Sequence, residues 1–93
     1  MPREFGHKIP IMAVKAQHNM MYRVLPLFLK EMREQAGLTQ RDIGKKLKKP
    51  HSYIYNCETS NRRVDITEFI AWSKACGVNP KTAFARLLKL FEQ

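Results

Sequence analysis

The most constraining feature of this chain is a pair of short apolar-periodic segments in its centre, each bounded by residues that start or stop helices. Gly37 is a typical helix terminator, and Thr39 followed three residues later by Asp42 is a capping pattern that predicts a helix start. Pro50 breaks that helix and can open the next one, which we expect over residues 51–58. The sequence therefore predicts two short helices joined by a tight turn.

Three more helices are predicted around this pair from the helical spacing of apolar residues. The first is expected over residues 24–36, with Pro26 in its opening turn, where a missing N–H costs nothing. The fourth should follow the capping pair Asp65 and Glu68, and the fifth should begin at Pro80 after an asparagine N-cap. The inward face of the fourth helix is expected to comprise Ile66, Phe69, Ile70, Ser73 and Cys76. Because glycine is scarce and no strand-rich region is present, we expect an all-α fold, a five-helix bundle.

The beginning of the chain differs from the rest. Residues 1–22 carry several basic side chains and three prolines or glycines without long apolar periodicity, which predicts a basic N-terminal arm or extension. Residues 23–93 are expected to form the folded domain, including a C-terminal helix. A chain of 93 residues suits one domain, and such small domains bury only about 60% of their unfolded surface, so dimerisation would add stability.

The net charge predicts an anionic partner. The chain has 17 Lys and Arg residues and 8 Asp and Glu residues, which gives a formal net charge of +9. Nucleic acid and an anionic membrane are the two candidates, and a merely solubilising charge is the alternative. The membrane is disfavoured because no apolar run approaches a span and no basic amphipathic membrane helix stands out. RNA is disfavoured because stacking aromatics are not apparent.

No pattern of catalytic or metal-binding residues stands out. The two cysteines, Cys57 and Cys76, form no Cys-x-x-Cys pair, and the three histidines are scattered, so neither a metal site nor a disulfide framework is predicted. No nucleophile–base pair is visible, so we expect neither an enzyme nor a cofactor. Two reduced thiols fit a cytoplasmic protein.

Residues 27–78 resemble the Cro/cI family of helix-turn-helix domains, which is the fold of the lambdoid phage repressors and of XRE-type regulators. The resemblance lies in "LKEMREQAGLTQRDIGKKL", then "PHSYIYNCE", then "DITEFIAWSKACGVNP". It implies that the helix over 51–58 reads double-stranded DNA. It also implies a bacterial or phage-infected cell, with the protein in the cytoplasm at the nucleoid.

The resemblance also implies residue roles. Gln40 matches a glutamine that meets a phosphate, and Arg33 with Glu58 matches an ion pair between the first and third helices. His51, Ser52 and Asn56 match positions that face bases. Gly44 departs from the family preference for alanine, which we expect to cost up to about 1 kcal/mol of helix stability.

The residues themselves support a base-reading face opposite Ile54 and Cys57. Its members are expected to be His51, Ser52, Tyr55 and Asn56. Asn56 can pair with adenine, and His51 can donate to guanine or contact a phosphate. A solvated polar face is the alternative.

A frame of polar and cationic side chains around that face is expected to hold the DNA backbone. Its members are Gln40, Arg41, Lys45, Lys49, Arg62 and Arg63. Gln40 lies at a helix start, where free N–H groups favour a phosphate. The alternative is that some of these are idle surface charges.

The predicted C-terminal helix has an apolar stripe that is larger than a small core needs. Its members are Phe84, Leu87, Leu88 and Phe91. We expect part of this stripe to form a dimer surface, and plain packing on the fourth helix is the alternative.

These features together predict a sequence-specific DNA-binding regulator. We expect a repressor or autoregulator that binds a palindromic operator as a homodimer. The alternative is an antitoxin or adaptor-type protein-interaction module that binds a partner protein and DNA.

Overall fold

The structure is a computed structural model that describes the backbone of residues 11–92 and the side chains of residues 23–92. Within this part of the chain there are five helices and no strand, which confirms the all-α class. The helices are α1 (Ile11–Gln35), α2 (Gln40–Leu47), α3 (His51–Glu58), α4 (Ile66–Ala75) and α5 (Pro80–Phe91). α3 packs against α1 and α2, and α5 packs against α1 and α4.

α1 begins at Ile11, so the predicted start at Val24 is wrong. Pro26 lies inside the helix and is buried, although an interior proline removes one backbone hydrogen bond and costs about 3 kcal/mol. Leu25 and Phe28 pack against the core on either side of it, so apolar burial offsets this cost. The first ten residues lie outside the described residues, and the division of the chain at residue 22 stays a prediction.

Local capping fixes where α2 and α4 begin. The Thr39 hydroxyl accepts from the Asp42 backbone N–H at 3.0 Å, and the Asp42 carboxylate accepts from the Thr39 N–H at 2.9 Å. Asp65 and Glu68 make the same reciprocal pair at 2.8 and 2.9 Å. Both predicted starts are confirmed, because each capping box satisfies two backbone donors that the helix itself cannot use.

The core is built around Trp72 of α4, whose side chain is fully buried. Its indole Nε1 donates to the Leu29 carbonyl of α1 at 3.1 Å, so this large side chain buries no unpaired donor. The predicted inward face of α4 is partly wrong, since Ile66 and Ile70 are 58% and 36% exposed. Trp72 lies three residues after the buried Phe69 and takes the inward position. The buried apolar residues are Leu29, Met32, Ile43, Ile54, Cys57, Phe69, Trp72, Ala83 and Leu87.

The turn between α2 and α3 depends on Gly44. Lys48 caps α2 in the left-handed conformation (φ 57°), and the Lys49 N–H donates to the Gly44 carbonyl at 2.9 Å. A Cβ added at Gly44 would lie 2.9 Å from the Lys49 carbonyl oxygen, closer than a Cβ can approach. Glycine therefore allows the turn to close tightly. Its low helix propensity costs some stability of α2, but a residue with a Cβ would not fit at this position.

Candidate nucleic-acid interface

α3 presents two different faces. Ile54 and Cys57 are fully buried and fix the inward side of the helix. His51, Ser52 and Tyr55 are exposed on the outward side. An exposed row of short or slender hydrogen-bonding side chains is what a helix needs to approach base edges in a major groove.

Asn56 is half-buried beside the loop that follows α3. Its carbonyl oxygen Oδ1 accepts a long hydrogen bond of 3.5 Å from the Asn61 amide, and its backbone carbonyl accepts from the Asn61 N–H at 3.0 Å. No other group in the described part of the chain bonds the Asn56 side chain. With its oxygen facing Asn61, the Asn56 amide has its two N–H groups unbonded within the described part of the chain.

A buried ion pair ties α3 to α1. Arg33 Nε donates to Glu58 Oε2 at 2.6 Å, and Nη2 donates to Glu58 Oε1 at 3.0 Å. Arg33 Nη1 donates to the Leu38 carbonyl at 2.8 Å. The two residues are 7% and 5% exposed, and the hydrogen bond to Glu58 raises the pKa of Arg33. This forked geometry is the expected pair, and it satisfies both charges away from water.

Gln40 extends this pair to the surface. Its amide Nε2 donates to Glu58 Oε1 at 3.0 Å, and its carbonyl Oε1 lies 2.7 Å from His51 Nε2. Arg33, Glu58, Gln40 and His51 form one connected chain of hydrogen bonds that runs from the buried ion pair to the exposed His51. We call this chain the buried network, after the ion pair at its centre. Sequence reasoning gave Gln40 and His51 separate contacts with DNA and missed their contact, although both stand at predicted helix starts.

A second cluster holds the opposite side of α3. The Tyr53 hydroxyl donates to Glu68 Oε2 at 2.9 Å, and Arg62 Nη1 donates to the same oxygen at 2.7 Å. Arg62 and Lys49 both lie over the Tyr53 ring, 4.7 and 5.0 Å from its centroid. We call these residues, Lys49, Tyr53, Arg62 and Glu68, the tyrosine cluster. Tyr53 was not predicted as a site residue, and its spacing gave no signal for this contact.

The tyrosine cluster changes the acid–base behaviour of its members. Burial raises the pKa of the Tyr53 phenol, and the hydrogen bond to Glu68 raises it further. Burial also acts to raise the pKa of the Glu68 carboxyl. Hydrogen bonds from the Asp65 backbone, Arg62 and Tyr53 outweigh it and hold that pKa below its usual value. Arg62 therefore already has an anionic partner, and a phosphate would have to compete with Glu68 for it.

Cationic side chains gather on the side of α3 that faces α2. Arg41, Lys45, Lys48 and Lys49 line a shallow concavity of about 550 Å³ together with His51. Asp42 is the one acidic side chain in this lining, and its carboxylate is engaged by the Thr39 backbone. A second concavity of about 580 Å³ follows α3 and includes Arg62 and Arg63. Cations therefore lie on the segments both before and after α3.

The apolar stripe of α5 divides between core and surface. Leu87 is buried and belongs to the core, so its assignment to a dimer surface is wrong. Phe84 and Leu88 are 44% and 41% exposed, and Phe91 is half-buried. Phe84 also packs edge-on against Phe69 with ring centroids 6.3 Å apart. Leu87 points inward because it lies four residues after the buried Ala83 on the same helical face.

The sequence matches the family model described as Helix-turn-helix over residues 29–82, which is more than half of the chain. The chain belongs to the XRE-type helix-turn-helix family. This family comprises DNA-binding transcription regulators, and the match confirms the resemblance read from the sequence. No curated protein sequence matches the chain.

Solved structures share the fold of this family member. An XRE-family like protein from Pseudomonas syringae pv. tomato str. DC3000 is 32% identical with a TM-score of 0.76, over 84% of this chain and 95% of that chain. The wild-type restriction-modification controller protein C.Esp1396I is 23% identical with a TM-score of 0.71, over 78% and 96% of the two chains. The same controller as a tetramer in complex with its natural 35-base-pair operator gives 23% identity and a TM-score of 0.70, with the same coverage.

Helices in the described part of the chain are too short or too polar to cross a membrane. No group of three or more metal-binding side chains comes together among these residues. Cys57 and Cys76 are free thiols, and burial raises the pKa of Cys76 to about 11.

Proposed function

We propose that this protein is a sequence-specific, double-stranded DNA-binding transcription regulator that inserts α3 into the major groove. The observation that carries the proposal is the outward face of α3, which exposes His51, Ser52 and Tyr55 on a helix anchored by a buried ion pair. A groove about 12 Å wide accepts one helix, and short polar side chains reach base edges without holding the helix away. Family membership supports the same reading.

Within this proposal, bases are read by His51, Ser52, Tyr55 and Asn56. The amide N–H groups of Asn56 remain for an adenine, which offers both a donor and an acceptor in the major groove. Ser52 can donate or accept. Contacts of this kind give discrimination between sequences, whereas contacts to phosphates do not.

The phosphate contacts in this proposal come from both sides of α3. Arg41, Lys45 and Lys49 approach from the α2 side, and Arg62 and Arg63 from the loop after α3. Gln40 keeps one amide N–H that is not used by Glu58 and can donate it to a phosphate. Arg62 is the weakest member, because Glu68 already occupies its guanidinium.

We further propose that the protein represses transcription as a homodimer on a palindromic operator, in the cytoplasm at the nucleoid. Exposed Phe84 and Leu88 support a dimer surface on α5, and two copies of α3 would double the number of contacts with DNA.

The dimer surface is tested with Leu88→Glu, and Lys89→Glu serves as the matched exposed control. Sedimentation should show a dimer for the wild type and the control, and a folded monomer with weaker operator binding for Leu88→Glu. A wild type that stays monomeric at high concentration contradicts the dimer.

The experiment that tests the function is footprinting of the protein on DNA flanking its own gene. The site found there is then measured against a random duplex for Ser52→Ala and Asn56→Ala. Each substitution should lose about 1–3 kcal/mol on the cognate site and change non-specific binding little. Equal losses on both duplexes would show that α3 does not read bases.

A further inference from the structure

We propose that His51 reads an exocyclic amino group, that of adenine or cytosine, by accepting a hydrogen bond at Nδ1. This rests on the proposed function and specifies the chemistry of one contact within it. The sequence alone left His51 as a donor to guanine or a contact to phosphate, and the buried network changes that assignment.

The first step is the carboxylate of Glu58. It is buried and bound by two nitrogens of Arg33 at 2.6 and 3.0 Å, so it is the anionic partner of an ion pair. An ionised carboxylate only accepts hydrogen bonds. Any side chain that bonds Glu58 must therefore present a donor to it.

The second step is the amide of Gln40. Because Glu58 accepts only, the amide group that faces Glu58 at 3.0 Å must be the NH₂. The carbonyl oxygen of Gln40 then faces His51 Nε2 at 2.7 Å. The orientation of this amide follows from the network, although its two ends look nearly alike.

The third step is the imidazole. The Gln40 carbonyl oxygen has no proton to give, so His51 Nε2 must donate, and the ring carries its proton on Nε2. In neutral imidazole the other nitrogen, Nδ1, is then an acceptor. The buried ion pair therefore sets the hydrogen-bonding polarity of a side chain on the DNA-facing surface.

The fourth step is the chemistry of the groove. In the major groove, guanine offers N7 and O6 and thymine offers O4, all of which are acceptors. Only the amino groups of adenine (N6) and cytosine (N4) donate there. Phosphate oxygens also accept only. An Nδ1 acceptor can thus pair with an amino group and with none of the other polar groups.

The tautomer is tested directly by ¹⁵N NMR of the imidazole nitrogens at about pH 8, where an ordinary histidine is neutral. The His51 signal is assigned by its loss in His51→Ala. We expect the Nε2–H tautomer in the wild type. Gln40→Met removes the partner oxygen at similar length and should let the Nδ1–H form appear, whereas Gln35→Met, the same change at an exposed position, should not. An Nδ1–H form in the wild type overturns the proposal.

The base contact is tested on duplexes selected from a random pool by the wild type and by His51→Ala. The base pair whose preference disappears in His51→Ala is then altered atom by atom. Replacing adenine by purine, or cytosine by 2-pyrimidinone, removes the amino group and should weaken wild-type binding by about 3- to 10-fold. The same duplexes should change His51→Ala binding little, which controls for weaker base pairing.

A dependence of wild-type binding on a base acceptor, in place of an amino group, would contradict the proposal. If removing guanine or adenine N7 with a 7-deaza base weakens the wild type and removing the amino group does not, His51 donates and the proposal is overturned. A selection with no His51-dependent base pair also overturns it. A protein that selects no duplex at all contradicts the proposed function itself, and the tautomer measurement separates that failure from an error in the buried network.

Discussion

Helix α3 is held on its two sides by two clusters, one buried and one partly exposed to water. The buried network joins α3 to α1 through a buried ion pair, and to α2 through the hydrogen bond from Gln40 to Glu58. The tyrosine cluster joins it to α4 and the following loop through Glu68 and an exposed arginine. Buried charges are costly to separate, whereas exposed pairs contribute little and are screened by salt. The buried side therefore fixes the geometry of the helix, and the exposed side can exchange its partners more readily.

The largest expected effect comes from substituting glutamine for each central carboxylate. Glu58→Gln leaves the Arg33 charge buried without its counter-ion and should lower the free energy of unfolding by about 3–5 kcal/mol. Glu68→Gln should cost less, because its arginine partner stays in contact with water. Urea denaturation at low temperature measures both. Equal losses for the two variants would remove the distinction between the two sides.

Gly44→Ala tests the close approach of α2 to the turn before α3. Alanine favours helix by about 1 kcal/mol, but its Cβ would meet the Lys49 carbonyl at 2.9 Å. We expect overpacking to dominate, with a net loss of about 1–3 kcal/mol in thermal or urea denaturation. Lys46→Ala, at an exposed position of the same helix, is the control and should be neutral or slightly stabilising. A more stable Gly44→Ala would show that the turn yields without strain.

The salt dependence of DNA binding distinguishes a cation that is open to phosphate from one that already has an anionic partner in the protein. Lys45→Ala should reduce the slope of log affinity against log salt by about 1, as expected for one lost phosphate contact. Arg62→Ala should reduce it less, because Glu68 neutralises this guanidinium in the free protein. Binding titrations from low to moderate salt give both slopes. A larger change for Arg62→Ala would mean that DNA takes the arginine away from Glu68.

The smallest expected effect is on the acid side of the stability profile. The pKa values of Asp42, Asp65 and Glu68 lie below their usual values in the folded protein, mainly through capping hydrogen bonds for the two aspartates. The unfolded chain therefore takes up protons first as the pH falls, so stability present at neutral pH is lost below about pH 5. Urea midpoints across that range measure the loss, and Glu68→Gln should flatten it. A midpoint independent of pH would contradict the lowered pKa values.

The helix starts show how far sequence patterns reach. Thr39, Asp65 and Asn79 were predicted as caps, and each accepts a backbone hydrogen bond from a residue two or three positions ahead. Such signals are local, so they can be read from the sequence. The start of α1 could not be read in this way, because a proline such as Pro26 normally marks a helix start, whereas here it lies inside the helix.

Burial was predicted less well than helix position. Leu87 and Leu88 are equally apolar neighbours, and helical spacing alone placed both on one stripe. The structure buries the first and exposes the second, since only one of them faces α1 and α4. Likewise, Trp72 takes the inward position on α4 while Ile66 stays exposed. Which side of an apolar helix faces inward depends on the other helices that pack against it.

The sequence by itself determined the family, the order of helices α2 to α5, the polar face of α3 and the positive charge around it. These depend on neighbours in the chain, on helical period and on composition. Only the tertiary structure decided which of those polar groups touch each other. Gln40 meets His51 from eleven positions away and Glu58 from eighteen, and Arg33 meets Glu58 from twenty-five. These contacts join residues that are distant in the chain, so only the folded structure fixes which nitrogen of His51 donates to Gln40 and which is left as an acceptor.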